Sequence, residues 1–318
     1  MIIGLVYDVK EHYGYKEIDM RYTDFHTMDD IHFAKSCIES LGHTVYNIGN
    51  KDDLIEFIND KKPVDMIFNM SWGYKGRNRE GLVPAILEAN NIKYSGSDSF
   101  ACSLCLDKIH TKLAARYLDI KTPDFFIAYT DNVPPKLAFP MVLKPNAQGT
   151  GMGVTIVKNE AEYYKTLNEL LCEYGSPVLC EEYIDGVDVT VPILVNQAGS
   201  YALNIMSILD FKQNPLTIYD AKIKSSRKCS RVVYNGVGEI QKSLIADSCK
   251  IFEFIGCCDF GRADFRVTTD GKTYFLEIAP LPSLAKSGSF CKCAELTNLN
   301  YADVFKHIIN STINRYKH

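Results

Sequence analysis

No stretch of the chain approaches the roughly 20 consecutive apolar residues that a membrane-crossing helix requires, so no membrane partner is expected. The N-terminus, Met1-Ile2-Ile3-Gly4-Leu5-Val6-Tyr7, lacks a basic segment and a cleavage site and reads as a first buried strand. An excess of basic residues is missing too. The net charge of −4 gives no electrostatic reason to expect a nucleic acid or an anionic membrane surface. Paired metal-knuckle spacings are absent among the 11 cysteines, so Cys102-x-x-Cys105, Cys257-Cys258 and Cys291-x-Cys293 read as small buried hydrophobes rather than zinc ligands. An odd number of scattered cysteines without a secretory signal points to free thiols in a reducing cytoplasm. Internal repeats and low-complexity segments are missing as well.

What is present is a chain of 318 residues, 46% hydrophobic and 23% charged, long enough for two or three domains. Strand and helix alternate in the first part: strands at 2–7, 44–48 and 65–69, helices near 28–41 and 81–90. That alternation predicts a parallel sheet covered on both faces. Gly96-Ser97-Asp98-Ser99 is a plausible boundary, giving a first α/β domain over 1–98. A single helix is expected over about 102–118. Strands at 139–144, 154–157 and 178–183 with a helix at about 160–173 complete a central unit, 99–183. The remainder, 184–318, reads as α+β, with helices near 239–254 and 301–316.

The segment from Arg262 to Ala279 is the most informative. Asp270-Gly271 between two β-rich runs is a two-residue hairpin signal, because a type I′ turn needs positive φ at both positions. Such a turn sets Asp264 opposite Glu277 and Arg262 opposite Ala279. Opposed carboxylates on one sheet face lie about 5 Å apart and repel unless a cation sits between them. A hard divalent ion such as Mg²⁺ is the expected solution, the alternative being two solvated acids at a sheet edge. A longer turn shifts the register by one and parts the acids.

A second candidate site is the strand Phe139–Lys144 running into Gly149-Thr150-Gly151-Met152-Gly153. Glycines let backbone N–H groups face an anion, so the loop suits a phosphate cradle, and a tight hairpin uses the same residues. The loop has no Gly-Lys-Ser/Thr and leads into a strand, which excludes the P-loop pattern. Lys144 stands where it meets a phosphate as a point charge. The strand Val178–Tyr183 ends in acids and a turn, whose backbone and Asp188 suit a purine edge and ribose hydroxyls, or belong to an ordinary solvated strand end.

Taken in order, Phe68–Gly73, Leu106-Asp107-Lys108 with Lys112, Lys144-Pro145 with the glycine loop, Glu181–Asp188, Tyr219–Lys222, Gly261–Asp264 and Leu276–Pro282 resemble the ATP-grasp superfamily in its D-alanine–D-alanine ligase branch. The resemblance covers nearly the whole chain. It implies the three-domain ATP-grasp architecture, α/β and α+β, with an N-terminal parallel α/β substrate domain, a central subdomain carrying the phosphate loop and a C-terminal subdomain carrying the metal site. It implies an ATP-dependent carboxylate–amine ligase acting through an acyl phosphate, with ATP and Mg²⁺ or Mn²⁺ as cofactors, amino-acid or peptide substrates and a homodimer. Lys108, Lys144 and Lys222 then contact phosphates, with Gly149, Thr150 and Gly151. The backbone from Glu181 through Glu182 and Tyr183 to Ile184 holds adenine, and Asp188 the ribose. Asp264 and Glu277 bind metal, while Arg262, Lys222 and the Ser283 N–H stabilise the developing charge.

The substrate end departs from the family's pattern. Trp72-Gly73 replaces His-Gly, Arg79-Glu80-Gly81 replaces Glu-Asp-Gly, and Ile223 stands for a tyrosine, Thr150 for a serine and Ala279 for a metal-side asparagine. Lys75, Arg77 and Arg79 suit a second substrate carboxylate, or are solvated loop cations. Lys286, Ser287 and Ser289 are candidates for the carboxylate of the incoming amine. These departures predict a ligase not specific for D-alanine. The alternatives are a true D-alanine–D-alanine ligase and a catalytically impaired ATP-binding regulator.

Overall fold

A computed structural model describes residues 1–14, 25–226, 229–236, 238–286 and 288–317. Its first layer is a parallel sheet in the order β2-β1-β3, made of β1 (Ile2–Tyr7), β2 (Thr44–Gly49) and β3 (Met66–Met70), with Leu5 beside Phe68. Helices α1 (Met28–Ser40), α2 (Lys51–Asn59) and α3 (Leu82–Ala89) connect it. Thr27 caps α1 reciprocally with Asp30, which ends the preceding loop and turns His26 into the protein beside Trp72.

The single helix expected over 102–118 is two, α4 (Ser99–Leu106) and α5 (Lys108–Tyr117). Asp107 takes an extended conformation, ψ 97°, and its carboxylate accepts from the His110 N–H. A capping side chain at that position offers the backbone an alternative to helix, so the helix restarts there. The break places Lys108 in the first turn of a new helix, facing the site.

The second layer is antiparallel, β4-β7-β5-β6, from β4 (Phe125–Ala128), β5 (Met141–Pro145), β6 (Thr155–Val157) and β7 (Val178–Glu182). Helix α6 (Glu160–Tyr174) covers it through Tyr163, Leu167 and Leu170. The third is antiparallel and six-stranded: β8 (Val187–Asn196), β9 (Gly199–Ala202), β10 (Met206–Leu209), β11 (Ser230–Val233), β12 (Phe260–Val267) and β13 (Thr273–Ala279). Between these strands lie α7 (Ala221–Ser226) and α8 (Gly238–Ile255), and α9 (Ser289–Leu296) and α10 (Tyr301–Arg315) close the chain. One face of the third sheet packs on α8 and on Ala101, Cys105 and Ala115 of α4 and α5. The last helix returns to the first sheet, where Phe305 and Ile308 join Ile3, Leu5 and Phe68 in one core. None of the described helices is long and apolar enough to cross a membrane.

Candidate active site

The β12–β13 pair sets Asp264 opposite Glu277 and Arg262 opposite Ala279. The two-residue turn expected from the sequence is not what does so. Thr268 N–H donates to Lys272 O at 3.0 Å and Gly271 sits at φ 82°, a longer loop that ends in a left-handed glycine. By itself this loop carries the register Phe265–Phe275, which parts the acids. An irregularity between Asp264 and Phe265 inserts Leu276 on β13 and brings the acids back face to face. Two deviations cancel.

Each acid has a cation beside it. Arg262 donates to Asp264 from Nη2 at 2.7 Å and Nε at 3.0 Å, and Thr190 Oγ1 donates to the same carboxylate at 2.6 Å. Lys108 Nζ lies 3.3 Å from Glu277 Oε2. Burial alone disfavours the Arg262 charge, but Asp264 and Glu277 outweigh it and push the guanidinium pKa above its ordinary value. The repulsion that the sequence reading assigned to a metal is therefore relieved by side chains. Among the described residues no group of three or more His, Cys, Asp or Glu forms a metal cluster. Two facing carboxylates with no side-chain oxygen at Ala279 match Mg²⁺, which binds through one or two carboxylates and takes its other ligands from phosphates and water.

Behind them lies a buried Lys–Glu–Lys group. Lys112 is fully buried, with Nζ 2.5 Å from Glu181 Oε1, and Lys144 Nζ contacts Oε2 of the same carboxylate. Burial pulls the Lys112 ammonium down to about 8, Glu181 opposing the shift. Burial pushes the Glu181 carboxyl up, but the two lysines win and hold it below the usual carboxylate range. The Glu181 side chain is thus spent inward, aligning Lys144 on β5, and only its backbone remains for a ligand.

Two cavities meet at these groups. One lies between the second and third sheets and is lined by Lys144, Gly151, Glu181 to Ile184, Asp188 and Arg266. The other opens towards the first sheet and is lined by Trp72, His26, Gly149, Thr150, Arg262, Ser283 and Ser289. Lys108, Ile208, Tyr219, Asp264 and Glu277 line both.

A sequence model of the family described as "D-ala D-ala ligase C-terminus" matches residues 115–310, more than half of the chain. The chain belongs to the D-alanine–D-alanine ligase family. That makes it an ATP-dependent ligase that forms carbon–nitrogen bonds. A D-alanine–D-alanine ligase of Aquifex aeolicus is 31% identical over 275 residues, covering 86% of this chain and 90% of the relative. In shape, the chain is similar to a D-alanine–D-alanine ligase from Bacillus anthracis solved with ATP. The TM-score is 0.79 at 23% identity, over 100% of this chain and 99% of the other. A D-Ala:D-Ser ligase from Enterococcus faecalis matches with TM-score 0.75 at 17% identity, over 98% and 99% of the two chains.

The glycine loop is drawn tight. Thr150, Gly151 and Gly153 have φ of 53°, 75° and 70°, and a Cβ on Gly151 meets the Tyr219 carbonyl at 2.9 Å. Thr150 is β-branched and rarely adopts such a conformation, and its buried Oγ1 has no partner among the described residues. Arg266 was not foreseen. It donates to Ile184 O at 3.1 Å, Asp188 Oδ2 at 2.7 Å and Leu216 O at 2.8 Å, joining three segments of the first cavity's wall. Its signal in the sequence was position alone, two residues beyond Asp264 on the same strand face. Arg231 was also missed; it donates to Ser289 Oγ at 2.8 Å and Tyr219 Oη at 3.1 Å at the edge of the second cavity.

Five residues expected at substrate or phosphate lie outside the lining of these two cavities. Arg79 is buried and donates to the Ala147 carbonyl at 2.7 Å, bracing the first-sheet loop against the glycine loop. Arg77 pairs with Asp107 at 3.0 Å and Lys75 lies over the Tyr74 ring, so the basic side chains that line the second cavity are Lys108, Arg231 and Arg262 instead. Lys286 is exposed with Nζ over the Tyr301 ring, and Lys222 is exposed in α7; neither is in the lining of these two cavities. Ser287 lies outside the described residues.

Proposed function

We propose that this chain activates a substrate carboxylate as an acyl phosphate with ATP and joins it to an amine. The observation that carries the reading is the meeting of two cavities at Asp264, Glu277 and Lys108, the place where a terminal phosphate must approach a carboxylate. The carboxylate oxygen attacks the γ-phosphorus and ADP leaves. The neutral amine then attacks the acyl carbon and phosphate leaves. Lys144 and Lys108 neutralise phosphate charge, the glycine loop donates N–H groups, and Arg262 faces the oxygen that becomes negative during amine attack. Asp264 and Glu277 would hold Mg²⁺, which draws phosphate charge towards itself and polarises the transferring group. Arg262 exchanges its hold on Asp264 for the substrate as the site fills.

The supporting arrangement needs no protein nucleophile. The test is release of ADP and phosphate that requires ATP, an amino acid carboxylate and an amine together. Asp264→Asn and Arg262→Met are each expected to lower kcat by at least about 10²-fold. Turnover unaffected by both substitutions sinks the proposal. Specificity for D-alanine, which the relatives' names carry, is not part of it, because the wall of the second cavity has its own chemistry.

A further inference from the structure

We infer that the amino acid entering the second cavity carries a large aromatic or flat apolar side chain; this rests on the ligase reading of that site. The cavity measures about 420 Å³, whereas an apolar cavity of about 150 Å³ already takes a benzene ring. Three rings of the first-sheet side, Phe25, His26 and Trp72, are part of its lining, together with the apolar Leu106, Leu281 and Ala285. Trp72 is fixed from both sides. Its Nε1 donates to Leu281 O at 2.6 Å, and its ring stacks on His26 with centroids 4.1 Å apart. His26 is a neutral ring there, because burial lowers its pKa to about 4. Phe25 stacks on Tyr13 at 5.2 Å, and Tyr13 on Tyr74 at 4.6 Å, so the wall is backed by further rings. Rings so supported lose little freedom on binding, and offset or edge contacts with a ligand ring add to the area they remove from water.

Glu80 lines the same cavity and suits an α-ammonium, whereas the Asp30 carboxylate beside it accepts from Thr27 in the cap of α1. The residues shared with the nucleotide cavity take the α-carboxylate. A methyl side chain leaves the ring wall wet, whereas an aromatic one covers it. The basic residues proposed from sequence as a second carboxylate site are engaged elsewhere, and of the arginines that do line the cavity Arg231 holds Ser289 and Tyr219 while Arg262 holds Asp264.

Trp72 is the single tryptophan of the chain, so its fluorescence reports occupancy without turnover. Two measurements are run on the full chain with ATP and Mg²⁺: ADP release over D- and L-amino acids, and Trp72 emission titrated with phenylalanine, leucine, lysine and alanine. Phenylalanine is expected to perturb Trp72 at concentrations at least about tenfold below alanine, and to show a correspondingly higher kcat/KM. Phe25→Ala is expected to lower kcat/KM for phenylalanine about tenfold more than it lowers that for alanine, with an unchanged thermal unfolding midpoint showing that the variant is folded. Alanine equal to or better than phenylalanine overturns the inference and leaves the ligase reading standing. Preference for lysine also overturns it, in favour of a cation against the rings and acids. Tight phenylalanine binding by fluorescence with no ADP from any pair overturns the ligase reading and keeps the cavity assignment.

Discussion

Glu181→Gln is the sharpest perturbation of the site's foundation. The carboxylate is 2% exposed and lies between Lys112 Nζ at 2.5 Å and the Lys144 ammonium. Lys112 retains two weaker partners, Thr122 Oγ1 at 2.8 Å and Phe275 O at 3.4 Å. Removing the negative charge leaves a buried cation without its counter-ion, a change that costs about 3–5 kcal/mol in comparable settings. Lys112 limits the loss by shedding its proton, since its pKa is already drawn down to about 8. A loss near 3 kcal/mol is therefore expected, a large part of an ordinary total stability of about 5–15 kcal/mol. Urea unfolding at pH 7 measures it. Adding Lys112→Met to Glu181→Gln should recover about 2 kcal/mol or more, because an apolar replacement no longer needs the carboxylate. Lys144 also loses its tether, so the KM for ATP should rise about tenfold. The titration has a definite sign. Between pH 8 and the unfolded value of 10.5 the folded chain sheds a proton that the unfolded chain keeps, so stability rises with pH across that window. Lys112→Met should abolish that rise. A Glu181→Gln loss below about 1 kcal/mol, or strict additivity in the double variant, refutes the reasoning.

Other outcomes follow from the same geometry. His26, lowered to about 4 by burial, stays neutral in the fold while the unfolded chain takes a proton below 6.5, so stability should fall by about 3 kcal/mol as pH drops from 6.5 to 4. His26→Leu should flatten that slope in thermal unfolding curves. Arg266→Met removes the donors that join Ile184, Asp188 and Leu216, and should cost about 3 kcal/mol of stability and weaken ATP binding more than tenfold by calorimetry. Unchanged ATP affinity removes Arg266 from the account. Ala279→Asn places a side-chain oxygen on the strand face of Glu277, and should lower the Mg²⁺ concentration that half-saturates the ADP-bound protein by several-fold. A raised requirement contradicts the metal assignment.

The fold was legible in the sequence where the signal was local. Alternating strands and helices announced the parallel first sheet, and an apolar run ending in Lys144 announced β5. The opposition of Asp264 and Glu277 was also foreseen, but through a turn that does not exist: the loop is longer, and Leu276 corrects the register. A bulge has no composition signature, so only its result was readable. Asp107 divides α4 from α5 because its side chain caps the second helix, a choice hidden within a helix-favouring stretch. Arg266 was illegible for another reason. Its partners lie 50 to 82 residues away, and only the folded chain brings Ile184, Asp188 and Leu216 to one guanidinium. Arg79 shows the converse. Its charge suggested a substrate contact, but the same length and donors serve to brace Ala147.

A substrate carboxylate that attacks ATP where the two cavities meet passes one of its own oxygens to the released phosphate. Labelling that carboxylate with ¹⁸O and analysing the released phosphate by mass spectrometry tests it most directly. One ¹⁸O atom is expected in each phosphate formed with ADP. Turnover that yields unlabelled phosphate, or AMP and pyrophosphate, contradicts it.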